Sequence, residues 1–164
     1  MNQARIVIRR AEQEDRLPLY RMLEFYQHDL SDIWDQDLDL HGEYGFSLDR
    51  FWRDNDCHPF LALIDGKYAG FALVDSSLKI GERGRWMDQF FVMKKYRGVG
   101  IGRKLAMQVF AALPGSWKVG QMANNLAAQA FWRAVIGRKT QGEFKEHTLT
   151  EGRWQGSVQV FNAS

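Results

Sequence analysis

Apolar and polar residues follow two different periods along this chain. Where apolar residues alternate with polar ones, or form a short continuous run, the pattern predicts a β-strand. Two such runs lie on either side of Asp65-Gly66, a dipeptide typical of a two-residue hairpin turn. The predicted strands cover residues 5–9, 60–64, 67–74, 85–93, 117–122, 142–150 and 156–161.

Four other segments carry apolar residues at helical spacing. The first helix is predicted to begin after Asp15, a residue type favoured as N-cap, and its apolar face extends to Ile33. Ser47 is the predicted cap of the second helix, and Pro114-Gly115 ends the third. These three helices and a fourth alternate with the strands, which indicates a mixed α/β fold. The second to fourth helices are predicted at residues 48–54, 101–113 and 127–136, and a glycine-containing loop at residues 81–84.

The size and composition of the chain restrict its class. A length of 164 residues fits one domain, residues 1–164, with a single substantial core. The net charge of +2 is too small to indicate nucleic acid or an anionic membrane as a partner. No apolar run is long enough for a secretion signal or a membrane span, and Cys57, the only cysteine, excludes an internal disulfide. We therefore expect a cytoplasmic protein without a membrane or nucleic-acid partner.

A basic, glycine-rich turn joins the strand at residues 85–93 to the helix that follows. The first N–H groups of a helix are unpaired and carry the positive end of its dipole, and glycine lets a phosphate approach the backbone. An ordinary strand-to-helix turn would leave the basic cluster unexplained, so the turn predicts an anionic ligand. Its basic residues and glycines are Lys94, Lys95, Arg97, Gly98, Gly100, Gly102, Arg103 and Lys104.

Two common phosphate-binding motifs are excluded. The chain has no Gly-x-x-x-x-Gly-Lys-Ser/Thr sequence, which a Walker loop requires, and the dinucleotide motif counted from Gly98 would need glycine in place of Arg103. The sequence Arg97-x-x-Gly100-x-Gly102 instead resembles the coenzyme A signature of the GNAT superfamily of N-acetyltransferases. Residues 125–132, Asn-Leu-Ala-Ala-Gln-Ala-Phe-Trp, resemble the Asn-x-x-Ala-x-x-Phe-Tyr segment of the same superfamily.

This resemblance implies a fold, a cosubstrate and a reaction. The implied fold is a mixed, mostly antiparallel sheet of about seven strands, splayed between strands 4 and 5 and flanked by about four helices. The cosubstrate is acetyl-CoA, whose acetyl group passes to a primary amine by direct attack in a ternary complex, and no metal is expected. Asn125 has the alternative role of a simple helix cap. The implied coenzyme contacts are Phe90, Phe91, Val92, Arg97, Gly98, Val99, Gly100, Ile101, Gly102, Arg103, Asn125 and Trp132.

The usual proton-transfer groups of the superfamily are missing from their positions. The tyrosine position holds Trp132, which does not release a proton near neutral pH, and two positions that carry a carboxylate base in other members hold Trp86 and Gly120. Asp88 is the nearest alternative base, because strand alternation puts it on the same face as Trp86 and Val92. A buried carboxylate paired with an arginine is the other interpretation of Asp88.

An acidic segment indicates the kind of acceptor. Seven acidic and three aromatic residues, but no lysine or arginine, lie at positions 29–49. In the superfamily this link commonly walls the acceptor site, so the resemblance implies a small cationic amine, attracted by charge and by cation–π contact. A solvated acidic loop is the alternative. A domain that binds an acyl-CoA without turnover is the alternative function, and a homodimer formed through a surface strand is open.

Overall fold

The computed structural model describes residues 3–76 and 84–164 of the chain. Residues 81–83 of the predicted glycine-containing loop lie outside the described residues. Every predicted helix and strand is present, with bounds that differ from the prediction by at most four residues. The elements are β1 (Ile6–Arg10), α1 (Arg16–Leu30), α2 (Asp49–Arg53), β2 (His58–Ile64), β3 (Lys67–Asp75), β4 (Arg85–Val92), α3 (Ile101–Ala112), β5 (Ser116–Gln121), α4 (Leu126–Thr140), β6 (Phe144–Leu149) and β7 (Gly156–Asn162). In the part of the chain so described, no helix is long and apolar enough to cross a bilayer.

The seven strands form one sheet in the order β1-β2-β3-β4-β5-β7-β6. β1 pairs with β2, and β7 with β5 and β6, in antiparallel registers, whereas β4 and β5 are parallel. Asp65 and Gly66 join β2 to β3 with φ values of 49° and 77°, the left-handed backbone of a primed hairpin turn. The structure confirms the predicted fold, a mostly antiparallel sheet with a parallel pair at strands 4 and 5 and four helices.

The residues group into two compact units. The N-terminal unit comprises Met1–Leu73 and Gln89–Leu105, and the C-terminal unit comprises Val74–Asp88 and Ala106–Ser164. In the N-terminal unit, Tyr26 of α1 contacts Phe71 of β3 and Phe91 of β4 edge-on, with ring centroids 6.0 and 5.9 Å apart. In the C-terminal unit, Phe110 of α3 contacts Trp117 of β5 and Phe161 of β7 in the same way, at 4.9 and 5.1 Å. Aromatic edge contacts thus fix helix against sheet in each core.

The fourth helix is longer than predicted because a glycine inside it does not end it. The predicted helix stops before Gly137, but α4 continues to Thr140. Its end comes at Gln141, which has a left-handed φ of 55°, and at Gly142, whose N–H donates to the Gly137 carbonyl at 2.9 Å. Glycine costs a helix only about 1 kcal/mol, so the left-handed turn and not Gly137 sets the boundary.

Asp15 stands at the N-cap of α1 as predicted, but its side chain makes no capping bond. A 3-10 turn precedes α1, so the backbone at Asp15 is already helical and the carboxylate turns to neighbouring strands. It accepts bonds from the Arg9 guanidinium at 2.7 and 3.1 Å, from the Glu12 N–H at 2.8 Å and from the Tyr68 hydroxyl at 2.8 Å. The bond from Arg9, followed by the bonds from Glu12 and Tyr68, lowers the pKa of Asp15 to about 2, against the opposing effect of burial.

This lowered pKa predicts that Asp15→Asn reduces the free energy of unfolding by about 2 kcal/mol at pH 7. The pKa of Asp15 is depressed in the folded state, so its contribution is complete above pH 4 and disappears as the pH falls through about 2. Urea unfolding between pH 7 and pH 2 measures the difference between wild type and variant. Asp54→Asn, which breaks an exposed pair with Arg53, is the control and should cost less than about 1 kcal/mol. A difference for Asp15→Asn that stays constant down to pH 2 would contradict this assignment.

Candidate active site

The glycine-rich turn forms an open helix N-terminus. After β4 ends, a 3-10 turn at Lys94–Tyr96 leads to Gly98 and Gly100, whose φ values of 84° and 86° are left-handed. The first N–H of α3 with a helical acceptor is that of Lys104, bonded to the Gly100 carbonyl at 3.1 Å. No acidic residue lies in the first turn of α3. The amides that open α3 therefore face no carboxylate from their own turn, which suits a bound anion.

Arg97, a predicted phosphate contact, is engaged by the protein itself. Its Nε donates to the Val92 carbonyl at 2.8 Å, its Nη2 pairs with the Asp29 carboxylate, and its guanidinium lies 5.4 Å from the centre of the Phe91 ring. These contacts fasten the turn to the end of β4 and to the last turn of α1. Arg103, Lys94, Lys95 and Lys104 are exposed at the same turn and keep the local charge positive.

At the end of β4, Phe91 differs in burial and in main-chain direction from its neighbours Phe90 and Val92. Phe91 is buried, whereas Phe90 and Val92 are half-buried. A Cβ on Gly70 of β3 would lie 2.4 Å from the Phe91 carbonyl oxygen, and the Met93 N–H donates to the Ala69 carbonyl on the same strand at 2.7 Å. Main-chain groups of alternate residues point to opposite neighbours. Those of Phe90 and Val92 are therefore directed away from β3.

The parallel pairing of β4 and β5 is short. Among the described residues, its register contains only the pairs Arg85 with Trp117 and Trp86 with Lys118, so the residues that follow these on β4 and β5 are not paired with each other. We call this stretch of the C-terminal unit, residues 87–88 and 119–121, the β4–β5 opening. Strands that separate leave main-chain groups available to another partner.

Two tryptophans explain why neither expected carboxylate is present at the opening. A Cβ on Gly120 would lie 2.5 Å from the Trp86 ring and 2.7 Å from Nε1 of Trp154. The two indoles meet edge-on, with centroids 5.2 Å apart at 73°. Trp86 thus occupies the first base position and its ring leaves no room for a side chain at the second. Asp88, the predicted base, follows two residues after Trp86 and is half-buried.

Asn125 and Trp132 lie at the start and on the buried side of α4. The Asn125 Oδ1 accepts the Ala128 N–H at 3.3 Å, so the residue caps the helix. Trp132 is 5% exposed, and its ring lies 5.0 Å from Phe131 and 6.3 Å from Phe110. The residue at the usual tyrosine position is therefore part of an aromatic cluster.

The acidic segment is partly occupied by contacts within the N-terminal unit. Asp29 pairs with Arg97, Asp49 with Arg16, and Asp39 accepts the N–H groups of His41 and Glu43 at 2.8 and 3.0 Å. Glu43 accepts the Tyr20 hydroxyl, which raises the pKa of Tyr20 to about 12. The three remaining acids, Asp32, Asp35 and Asp37, are exposed. Within residues 3–76 and 84–164, none of them makes an ion pair or a side-chain hydrogen bond.

A cavity of about 540 Å³ lies in the N-terminal unit beside this segment. Residues 13–20 and 46–49 line it, and the lining includes the acids Glu14 and Asp49, the aromatic residues Tyr20 and Phe46, and Arg16, which pairs with Asp49. Trp34, 49% exposed, stands near the three exposed acids in the sequence. Acidic and aromatic side chains in combination suit an organic cation.

Comparisons with known proteins agree with this geometry. The profile of the acetyltransferase (GNAT) family matches residues 19–137, so the chain belongs to this family. Comparison with curated protein sequences gives no match. Membership of the family supports acetyl transfer as the chemistry of the chain.

Several solved structures share the fold. An acetyltransferase from Thermus thermophilus has 16% identity over 96% of both chains and a TM-score of 0.68. The protein yncA from Salmonella typhimurium, solved with its cofactor acetyl-CoA, has 16% identity over 97% of this chain and 94% of its own, with a TM-score of 0.64. An aminoglycoside acetyltransferase, AAC(6')-Ib, solved with coenzyme A and kanamycin, has 15% identity over 96% of this chain and 95% of its own, with a TM-score of 0.65.

Two contacts at the site were not predicted from the sequence. Asp29 reaches Arg97 from 68 residues away in sequence, and no local pattern signals that pairing. Trp154 lies in the segment between β6 and β7, and no pattern in the sequence pairs it with Trp86. Gly120 offered the one available signal, because an isolated glycine within a strand marks a close approach of another group.

The packing over Gly120 predicts that Gly120→Ala lowers the free energy of unfolding by about 1–3 kcal/mol, since the added methyl group overlaps both indoles. Denaturant unfolding of Gly120→Ala, Trp154→Ala and the double variant measures the coupling. The double variant should recover at least about 1 kcal/mol of the loss. Gly137→Ala is the control, because its new methyl group would lie 3.8 Å from Phe144 inside a helix and should be neutral or stabilising. Simple additivity in the double variant would argue against the contact.

Proposed function

We propose that this chain is an N-acetyltransferase that moves an acetyl group from acetyl-CoA to a primary amine of a small cationic molecule. The observation that carries the proposal is the open start of α3, where left-handed Gly98 and Gly100 precede amides that face no acidic side chain in their own turn. Such a turn binds a diphosphate by main-chain donors and by the helix dipole. Family membership and the acetyl-CoA and coenzyme A complexes of similar folds support the same cosubstrate.

In this proposal the cosubstrate is bound mainly by backbone groups. The amides of residues 98–103 hold the diphosphate, and Arg103 with Lys94 and Lys95 adds charge. The pantetheine amides pair with the main chain of Phe90 and Val92, whose polar groups are directed away from β3. Arg97 supports the turn through Val92 and Asp29, so its contribution to phosphate binding is positional. Asn125 acts by fixing the start of α4.

The reaction forms a C–N bond and breaks the C–S bond of the thioester in one ternary complex. The attacking amine must be neutral, and at pH 7 removing a proton from a lysine-like ammonium costs about 4.6 kcal/mol, against about 1 kcal/mol for an α-amine. We assign Asp88 as the base that receives this proton. The departing thiolate belongs to a thiol of pKa about 8.5, so it leaves with little need of an acid. A thiolate that leaves without a proton donor is consistent with Trp132 at the usual tyrosine position, because tryptophan does not release a proton near neutral pH.

The acceptor is attracted by exposed acids of the N-terminal unit. Asp32, Asp35 and Asp37 supply negative charge, and Trp34 supplies an exposed indole face for an ammonium group. The cavity beside Tyr20 and Phe46 has room for the body of a small organic molecule. The proposed acceptor is therefore a molecule with a second positive charge besides its reacting amine.

Catalytically weak binding of an acyl-CoA is the second candidate function. The observation that favours it is that neither usual base position carries a carboxylate. Trp86 occupies one position, and at the other the two indoles fill the space above Gly120. In that case acetyl-CoA binds but the amine stays protonated. Binding and turnover must therefore be measured separately.

We predict that saturating acetyl-CoA raises the melting temperature by about 5–10 °C, the size expected for a ligand at about a hundred times its Kd. Gly100→Ala should weaken this binding about tenfold, because alanine strains a backbone with φ of 86° at the phosphate turn. Gly142→Ala is the matched control, with φ of 85° and no neighbour within 4 Å of its new methyl group. It should lose stability but bind acetyl-CoA as wild type does. An unchanged melting temperature with acetyl-CoA would refute the proposed function.

The same preparation then tests turnover through release of the coenzyme A thiol. We expect 1,3-diaminopropane to react faster than 3-amino-1-propanol, because the two differ mainly in the second positive charge. Equal rates would remove the acidic segment from acceptor recognition. Binding of acetyl-CoA without release of thiol in the presence of any amine would support the alternative function.

For Asp88 we predict that Asp88→Asn lowers kcat by about a hundredfold at pH 7, the usual size of a general-base effect, while the KM for acetyl-CoA changes little. The loss should shrink as the pH approaches the pKa of the acceptor, because the amine then deprotonates without help. Glu143→Gln, an exposed carboxylate of the same unit, is the control and should leave the pH profile unchanged. A loss of equal size at every pH would assign Asp88 a structural role.

A further inference from the structure

Trp154 lies at the β4–β5 opening and has no part in the mechanism described so far. It comes from the segment between β6 and β7, and its ring meets that of Trp86 edge-on at 5.2 Å. We infer that Trp154 is a specificity-determining residue: with Trp86 it forms a wall that limits the room beside the reacting amine and selects amines whose chain is unbranched at the carbon next to the amine-bearing one. This inference rests on the proposed function.

The position of the wall follows from the register of the sheet. Trp86 is the last residue of β4 that pairs with β5, and Asp88 follows two residues later, about 6.6 Å further along the strand. Gly120 lies two residues beyond Lys118, the partner of Trp86, and so on the same face of the sheet as Trp86. The indoles therefore cover the face of the opening next to the proposed base. An amine that reaches Asp88 has its substituents beside these rings.

The two tryptophans of the wall differ in their exposure to solvent. Trp86 is 3% exposed, so it is held by the core, whereas Trp154 is half-buried. Both rings reach within 3 Å of the place that a side chain at Gly120 would take, so no side chain separates them from the backbone of β5. Removing the Trp154 ring would open space toward solvent, where a bulkier acceptor fits. Removing Trp86 would instead leave a void in the core.

The experiment compares two acceptors with the same charges and different branching. Wild type, Trp154→Ala and Trp154→Phe are assayed with 1,3-diaminopropane and 2,2-dimethyl-1,3-diaminopropane, which adds two methyl groups next to the amine-bearing carbons. The ratio of kcat/KM for the branched to the unbranched diamine should rise about tenfold in Trp154→Ala and less in Trp154→Phe, because one methyl group in a fitted pocket changes selectivity by at least that factor. The KM for acetyl-CoA should stay within twofold.

Trp52→Ala serves as the matched control, since Trp52 is likewise a half-buried tryptophan but belongs to the N-terminal unit. It should lose stability but keep the wild-type ratio. A folded Trp154→Ala with the wild-type ratio would overturn the role of Trp154 alone. If Trp154→Ala does not fold, the ratio in Trp154→Phe decides in the same way. Acetylation of no amine by the wild type would refute the proposed function and the role of Trp154 together.

Discussion

The early end of the pairing between β4 and β5 is the constraint on which the candidate site depends. A strand that loses its neighbour must satisfy its N–H and C=O groups with another partner, since unpaired polar groups away from water are costly. Here the register ends after Trp86 and Lys118, and the sheet supplies no further partner between these two strands. A ligand with amide groups along its length is a natural occupant of such an edge. In the proposed reaction, the backbone therefore sets the position of the thioester, and side chains adjust it.

Several side chains to which the superfamily pattern gives a role in coenzyme binding or proton transfer are instead engaged in contacts within the protein. Arg97 of the coenzyme signature binds a carbonyl and a carboxylate of the protein, and Asn125 caps a helix. The indoles of Trp86 and Trp154 fill the space of two carboxylates. In the proposed mode of coenzyme binding, main-chain groups are the principal binding elements, and they depend on the glycine conformations of the turn more than on its charges.

Much of the fold follows from local patterns in the sequence, and the exceptions have physical causes. The hairpin at Asp65-Gly66 and the turn at Gly98 and Gly100 were predictable because left-handed backbone and glycine go together. Asp15 turned to Arg9 and not to its own helix because a 3-10 turn already makes its backbone helical, and its carboxylate accepts charge-assisted bonds from the half-buried Arg9 guanidinium. The Arg9–Asp15 bond has no local signal, and Gly120 signals only that some group approaches it, because each contact joins residues that only the folded chain brings together.

The packing of Gly120 between two indoles also restricts how this site can change. A carboxylate at position 120 requires that both indoles shift or be replaced by something smaller, because its Cβ alone would lie 2.5 Å from the Trp86 ring and 2.7 Å from Nε1 of Trp154. A single substitution at position 120 therefore disturbs the packing of the two indoles before a carboxylate there can take part in proton transfer. Position 120 is thus coupled to positions 86 and 154, and a carboxylate there is compatible with this packing only together with a change of the indoles.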